Sequence, residues 1–142
     1  MKNITIKELY RNSENYYSKE VILKLLEKAN ILKVNSEELK VLRNMLSLKG
    51  SVDEVCLKIK EDFGLLYMIL GDTAKESKIW GIDNEYSAIK NSRLHQSFAF
   101  GAGNAFAGTF LSSILNGKTL REAHEDANEA AIEVCKQTEG VY

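Results

Sequence analysis

Apolar positions along the chain alternate between helical spacing and short unbroken runs. In "KEVILKLLEKA", residues 19–29, Val21, Ile22, Leu25, Leu26 and Ala29 share one face of a helix. "NILKV" then offers a short β-branched strand, and "NSEELKVLRNML" returns to helical spacing through Leu39, Leu42 and Leu46. A third helix is predicted in "SVDEVCLKIKEDFG", where Ser51 and Glu54 have capping-box spacing and Gly64 is placed to end it. "LLYMIL", residues 65–70, is unbroken and too short for a helix of its own, which suits a strand covered on both faces, as in a parallel sheet. "SKIW" and "YSAIK" are weaker strand candidates on either side of a turn at Gly81–Asn84.

Two helices are predicted to close the chain. The first follows Gly103 and is apolar nearly all round (Phe106, Phe110, Leu111, Ile114, Leu115), so it is expected to be well buried and to end at Gly117. The second opens with a Thr119–Glu122 capping box and carries a narrow stripe of Leu120, Ala123, Ala127, Ala131 and Val134. That stripe suits close packing on the first helix, with Gly108 as the facing small residue. Strands alternating with helices predict an α/β fold, a mainly parallel sheet flanked by helices, with Ile31–Val34 and Leu65–Leu70 as neighbours. Residues 1–142 contain no repeat or linker that would split them, so one domain is expected.

Composition narrows the function classes. A net charge of −1 without a basic run gives no general attraction to nucleic acid or anionic lipid. No run is long enough to span a bilayer, and "MKNITIKELYRNSENYY" lacks the apolar core of a signal peptide. Cys56 and Cys135 lie far apart, outside any CxxC or Cys/His cluster, as expected of a reduced, cytoplasmic chain that does not use them for metal. His95 and His124 have no ligand spacing and are expected at the surface.

Three places could carry chemistry. In "FGAGNAFAGTFLSSILNG", the Gly101-Ala102-Gly103 turn can leave its N–H groups uncovered at the positive end of a helix, ready for a phosphate or an oxyanion. A glycine turn that only packs is an equal reading, and no GKS or GKT follows to make a P-loop. Asn35 and Glu38 in "VNSEEL" could organise a hydrated Mg²⁺, but the same spacing is that of an N-cap and its capping box. Asn128 in "DANEAA" could meet the edge or ribose of a nucleotide, or simply face solvent.

The order of these features resembles the ribokinase-like (PfkB) carbohydrate kinases. "GAGNAFAGTFLSSILNGKTLREAHEDANEAA" is similar to their C-terminal signature, Asp-Thr-x-Gly-Ala-Gly-Asp-x-Phe, with the helices that follow it. "YYSKEVILKLLEKANILKVNSEELKVL" looks like the helix, strand and Asn-x-x-Glu segment of fructokinase-like members, and "LLYMILGD" like the strand before their Thr-x-Gly-x-x-Gly nucleotide loop. "NITIKELY" looks like a worn Asp-x-Asn-x-Arg stretch. The resemblance spans nearly the whole chain and implies the C-terminal, nucleotide-binding half of a kinase that uses ATP and Mg²⁺ to phosphorylate a sugar. By position it implies an anion hole at Gly101, Ala102 and Gly103, a catalytic base at residue 104, metal and phosphate contacts from Asn35 and Glu38 (the latter through water), Gly71 in the nucleotide loop, and Asn128 near the adenine.

The departures from the pattern gather at that site. Asn104 stands where the family has its Asp base, and an amide takes up no proton at neutral pH; general-base catalysis contributes on the order of 10²–10⁴-fold. Phe98 and Ala99 replace Asp-Thr, Ile69 and Ala74 replace residues of the nucleotide loop, and Lys7 replaces an arginine. Family members are much longer, the sugar-binding half being N-terminal. The expectation is a truncated, diverged relative with little or no activity as an isolated chain, self-associating through an exposed sheet edge. The alternative is an active fructokinase-like enzyme, or its ATP-binding half, completed by a partner chain.

Overall fold

The computed structural model describes residues 3–5, 19–72, 76–90 and 101–139. Among them are five strands, β1 (Asn3–Thr5), β2 (Ile31–Val34), β3 (Tyr67–Asp72), β4 (Glu76–Trp80) and β5 (Tyr86–Lys90). Five helices accompany them: α1 (Lys19–Lys28), α2 (Ser36–Met45), α3 (Val52–Asp62), α4 (Ala102–Leu115) and α5 (Leu120–Glu139). The strand order in the sheet is the chain order, β1-β2-β3-β4-β5. This is the expected α/β architecture of a sheet flanked by helices.

Contacts divide the chain into two compact units, residues 1–70 with 80–84, and residues 71–79 with 85–142. In the first unit β1 pairs with β2 and β2 with β3, both parallel, with Ile31 opposite Tyr67 and Val34 opposite Leu70. Each parallel step is spanned by helix, α1 in one case and α2 with α3 in the other, as a parallel crossover requires. Tyr67, Met68, Ile69 and Leu70 are all buried, which is why that stretch reads as a continuous apolar run rather than an alternating one. The strand begins two residues later than the run, because Leu66 and Tyr67 first donate their N–H groups to the Asn30 carbonyl, at 2.8 and 3.2 Å. The core of this unit gathers Ile22, Leu26, Leu32, Leu42, Val55, Cys56, Ile59, Met68 and Trp80.

Local chemistry sets the helix ends. Asn35 caps α2 and Ser51 caps α3, each with its reciprocal glutamate bond in place. Helix α3 ends in a Schellman motif: Leu65 N–H reaches the Lys60 carbonyl at 2.9 Å, with Gly64 at φ +62°. The same motif ends α2, but there Ser47 occupies the left-handed position at φ +54°. A serine carries a Cβ penalty that glycine avoids, so this end of α2 holds local strain.

In the second unit α4 and α5 pack as an antiparallel pair, joined by a turn at Gly117 (φ +83°). Ala102, Phe106, Phe110, Leu120, Ala123 and Ala127 are buried there. Two expectations are corrected. Gly108 is exposed, with nothing within 4 Å of a Cβ built on it, so the close approach uses Ala123 and Ala127 without it. Leu115 is 69% exposed: α4 is not buried all round, and its last turn projects an apolar side chain into solvent.

Candidate functional site

The start of α4 shows why a glycine stands at residue 101. Gly101 is the N-cap and adopts φ 94°, ψ −10°, a left-handed conformation that side-chain-bearing residues resist. The first intrahelical bond runs from Ala105 N–H to the Gly101 carbonyl at 2.9 Å. The N–H groups of Ala102, Gly103 and Asn104 therefore precede the helical ladder. Among the described residues no side chain caps them, and no acidic residue lies in the first turn. With the positive end of a 14-residue helix behind it, such a turn favours an anion. Ala102 is buried, Gly103 half-buried and Asn104 exposed. Asn104 thus sits at the third helical position with an uncharged amide.

The other residues singled out in the sequence are distributed between the two units. Asn35 and Glu38 lie in the first and are joined to each other. Glu38 N–H donates to Asn35 Oδ1 at 2.8 Å, and Asn35 N–H donates to Glu38 Oε1 at 2.9 Å. Their capping role is therefore realised. Gly71 is buried on β3 and Asn128 is half-buried on α5, both in the second unit with the Gly101–Asn104 turn. Lys7, Ala74, His95, Phe98 and Ala99 lie outside the described residues. Cys56 and Cys135 are free thiols, the first buried. Among the described residues no three His, Cys, Asp or Glu side chains gather as a metal would need, and no helix is long and apolar enough to cross a membrane.

One polar cluster was not anticipated, and it corrects the expectation of a surface histidine. His124, on α5, has no exposed surface. Its Nε2 lies 2.7 Å from Ser77 Oγ on β4, and its Nδ1 lies 2.7 Å from Ser87 Oγ on β5. Both serines are buried too. Phe106 of α4 meets the imidazole edge-on, with centroids 5.9 Å apart and planes at 74°. Burial, assisted by the Arg121 cation, pushes the imidazole pKa down from 6.5 to about 4, so the ring is neutral at physiological pH. The signal was present in the spacing: residue 124 lies four after Leu120 and three before Ala127, on the apolar face of α5.

Arg121 and Asp126 complete the polar surroundings. Arg121 Nη1 donates to Ser87 Oγ at 3.2 Å and to the Ala88 carbonyl at 2.8 Å, while its Nε donates to Glu125 Oε1 at 2.9 Å. At the turn joining the two helices, Asp126 Oδ2 accepts from Lys118 Nζ at 2.6 Å and from Ser113 Oγ at 2.9 Å. Those two bonds, Lys118 first, hold the Asp126 carboxyl below its ordinary pKa, and the bond to Asp126 raises that of Lys118. The Thr119 cap lowers that of Glu122 in the same way.

The chain matches the family model described as pfkB family carbohydrate kinase over residues 2–141. No curated protein matches it. Among solved structures it is similar to the nucleoside kinase of Methanocaldococcus jannaschii, an archaeal member of the ribokinase family, with 21% identity and a TM-score of 0.68 over 91% of this chain and 40% of that one. It is similar also to Trypanosoma brucei brucei adenosine kinase, with 25% identity and a TM-score of 0.65 over 82% of this chain and 36% of that one. For the ribokinase of Thermotoga maritima the values are 19% and 0.69, over 93% of this chain and 41% of that one. The chain spans about two fifths of the length of these relatives.

Proposed function

The chain belongs to the pfkB family of carbohydrate kinases, and from that membership we propose that it is a diverged kinase relative that binds a phosphate-bearing nucleotide but transfers little or no phosphoryl group by itself. It corresponds to the C-terminal, nucleotide-binding half of the ribokinase-like fold and acts as one domain over residues 1–142. The observation that carries the reading is the start of α4. A left-handed Gly101 turns the chain into α4, and among the described residues no side chain caps the N–H groups of Ala102, Gly103 and Asn104, which supports anion binding. At the third position, where the family's base would stand, Asn104 cannot accept a proton.

ATP would supply the phosphoryl group, with Mg²⁺ to neutralise its charge. The residues present fit that pair in part. The Gly101–Gly103 turn suits a phosphate, with Gly71 beside the nucleotide and Asn128 toward the base. Among the described residues no three His, Cys, Asp or Glu side chains gather for a metal; Glu38, whose Oε1 is engaged in the α2 cap, is assigned to Mg²⁺ through water on the family resemblance alone. The acceptor hydroxyl would belong to a free sugar, as in the fructokinase-like resemblance, or to the ribose of a nucleoside, as the names of the similar adenosine and nucleoside kinases suggest. Free thiols at Cys56 and Cys135 suit the cytoplasm. Neither nucleic acid nor membrane is a partner in this reading. A second copy of the chain is, because among the described residues the sheet ends at β1 and β5, and a sheet edge favours pairing with another chain. Light scattering at micromolar concentration tests that part; a mass near 16.0 kDa refutes the dimer.

The deciding experiment combines Mg-ATP and Mg-ADP titration with ADP release over a panel of sugars and nucleosides. Measurable binding with background release is the expected result. An active kinase, or the ATP-binding half of one completed by a partner chain, is the second reading, and the retained turn at Gly101 favours it. Acceptor-dependent turnover by the wild-type chain would establish that second reading and end the first.

A further inference from the structure

The polarity of the buried hydrogen bonds around His124 can be worked out from their partners. Arg121 carries only donors, so Ser87 Oγ accepts from its Nη1 at 3.2 Å. Accepting from a cation makes the Ser87 hydroxyl a better donor, and His124 Nδ1 stands 2.7 Å from its oxygen. With Nδ1 as acceptor, the neutral ring carries its proton on Nε2 and donates to Ser77 Oγ at 2.7 Å. The chain of bonds then runs one way, from Arg121 through Ser87 and His124 to Ser77, and it links α5 to both β4 and β5. A buried histidine answered on both ring nitrogens has one compatible position, unlike an apolar side chain that can slide. Phe106 rests edge-on against that ring, from a point on α4 five residues beyond Gly101.

We propose that His124 is a positioning residue: held as its Nε2–H tautomer by the Arg121–Ser87 bond, it ties α5 to β4 and β5 and, through Phe106, sets where the α4 turn at Gly101–Asn104 lies. The tie itself stands on the hydrogen bonds alone; its consequence for ligand binding rests on the reading of that turn as an anion site. Asn128 follows His124 by four residues on α5, so the same tie orients the side chain assigned to the nucleotide.

The test uses the ¹⁵N-labelled full chain at pH 7, with the His124 resonances assigned against His124→Gln. The expected spectrum has Nε2 protonated and Nδ1 unprotonated. In Ser87→Ala both imidazole resonances move, the backbone amides of Gly103 and Asn104 shift, and inorganic phosphate binds more weakly, by at most about fivefold, the factor for one hydrogen bond felt wholly in binding. Lys118→Ala, which removes the Asp126 contact at the turn joining α4 to α5 without touching the His124 cluster, leaves all three readouts unchanged. Arg121→Gln, at an exposed position, provides the same comparison where Ser87→Ala does not fold. A wild-type ring protonated on Nδ1 overturns the proposal, as do Gly103 and Asn104 amides that stay in place when the tie is cut. If the wild-type chain binds neither phosphate nor Mg-ATP, the anion-site reading fails, and the imidazole and amide resonances still decide the positioning role.

Discussion

Lowering the pH from 6.5 toward 4 should destabilise this protein, because its buried histidine resists protonation. In the unfolded chain His124 takes up a proton near pH 6.5, while in the folded protein it does so only near 4. Between those values the unfolded state binds more protons, so stability is complete above 6.5 and falls as pH drops toward 4. At 1.36 kcal/mol per pH unit the whole window corresponds to about 3 kcal/mol, a large fraction of a typical stability of roughly 5–15 kcal/mol. Urea unfolding followed by far-UV circular dichroism at pH 7.5, 6.5, 5.5 and 4.5 measures it, on wild type and on His124→Gln. Gln keeps one polar contact and does not titrate, and contributions from His95 and the carboxylates cancel in the difference. Wild type should be the more stable at pH 7.5, with its advantage shrinking steadily through the window. A constant difference, or wild-type stability that is flat from 6.5 to 4.5, would refute the burial of a neutral His124.

Ser47→Gly should raise the melting temperature, by relieving a left-handed serine at the end of α2 worth about 1 kcal/mol; a lower melting temperature would count against the Schellman geometry there. Asn35→Ala should cost about 1 kcal/mol through loss of the cap on α2, and Glu38→Gln, which preserves the capping box, should be nearly neutral in a thermal melt. Leu26→Ala, at a fully buried position, should cost about 2–5 kcal/mol, read by the fluorescence of Trp80 in the same core. Asn104→Asp adds a carboxylate to the first turn of α4 and should stabilise it by about 0.3–1 kcal/mol. It should not start sugar-dependent ADP release, because Phe98, Ala99, Ile69 and Ala74 also depart from the family pattern; turnover by this variant alone would mean the remaining site is intact.

Elements governed by near neighbours were legible in the residues themselves. The caps at Asn35, Ser51 and Thr119 depend on a partner three residues away, so residue type and spacing sufficed. The pairing of β2 with β3 was legible from two short strand-forming stretches, "NILKV" and the unbroken apolar "LLYMIL", set between helices as in a parallel sheet. The glycine turn opening α4 was legible for the same reason, since Gly101 answers a backbone demand made within its own turn. The end of α2 was not: Ser47 takes a conformation usually given to glycine, so the residue gave no signal.

His124 marks the limit of that reading. Its ring is answered by Ser77, 47 residues away, and by Ser87, 37 away, and no local rule relates those positions. A polar side chain can enter a core only when its bonds are satisfied there, and whether partners stand ready depends on how α5 meets β4 and β5. Gly108 and Leu115 fail in the opposite sense, as residues fit for burial that the packing of α4 leaves in solvent. Residue spacing along the chain determined the helices, strands, caps and the glycine turn, because the forces behind them act within a few residues. The burial of His124, the exposure of Gly108 and Leu115, and the bonds that tie α5 to its strands were decided by assembly, because each depends on surfaces that meet only once the elements have packed.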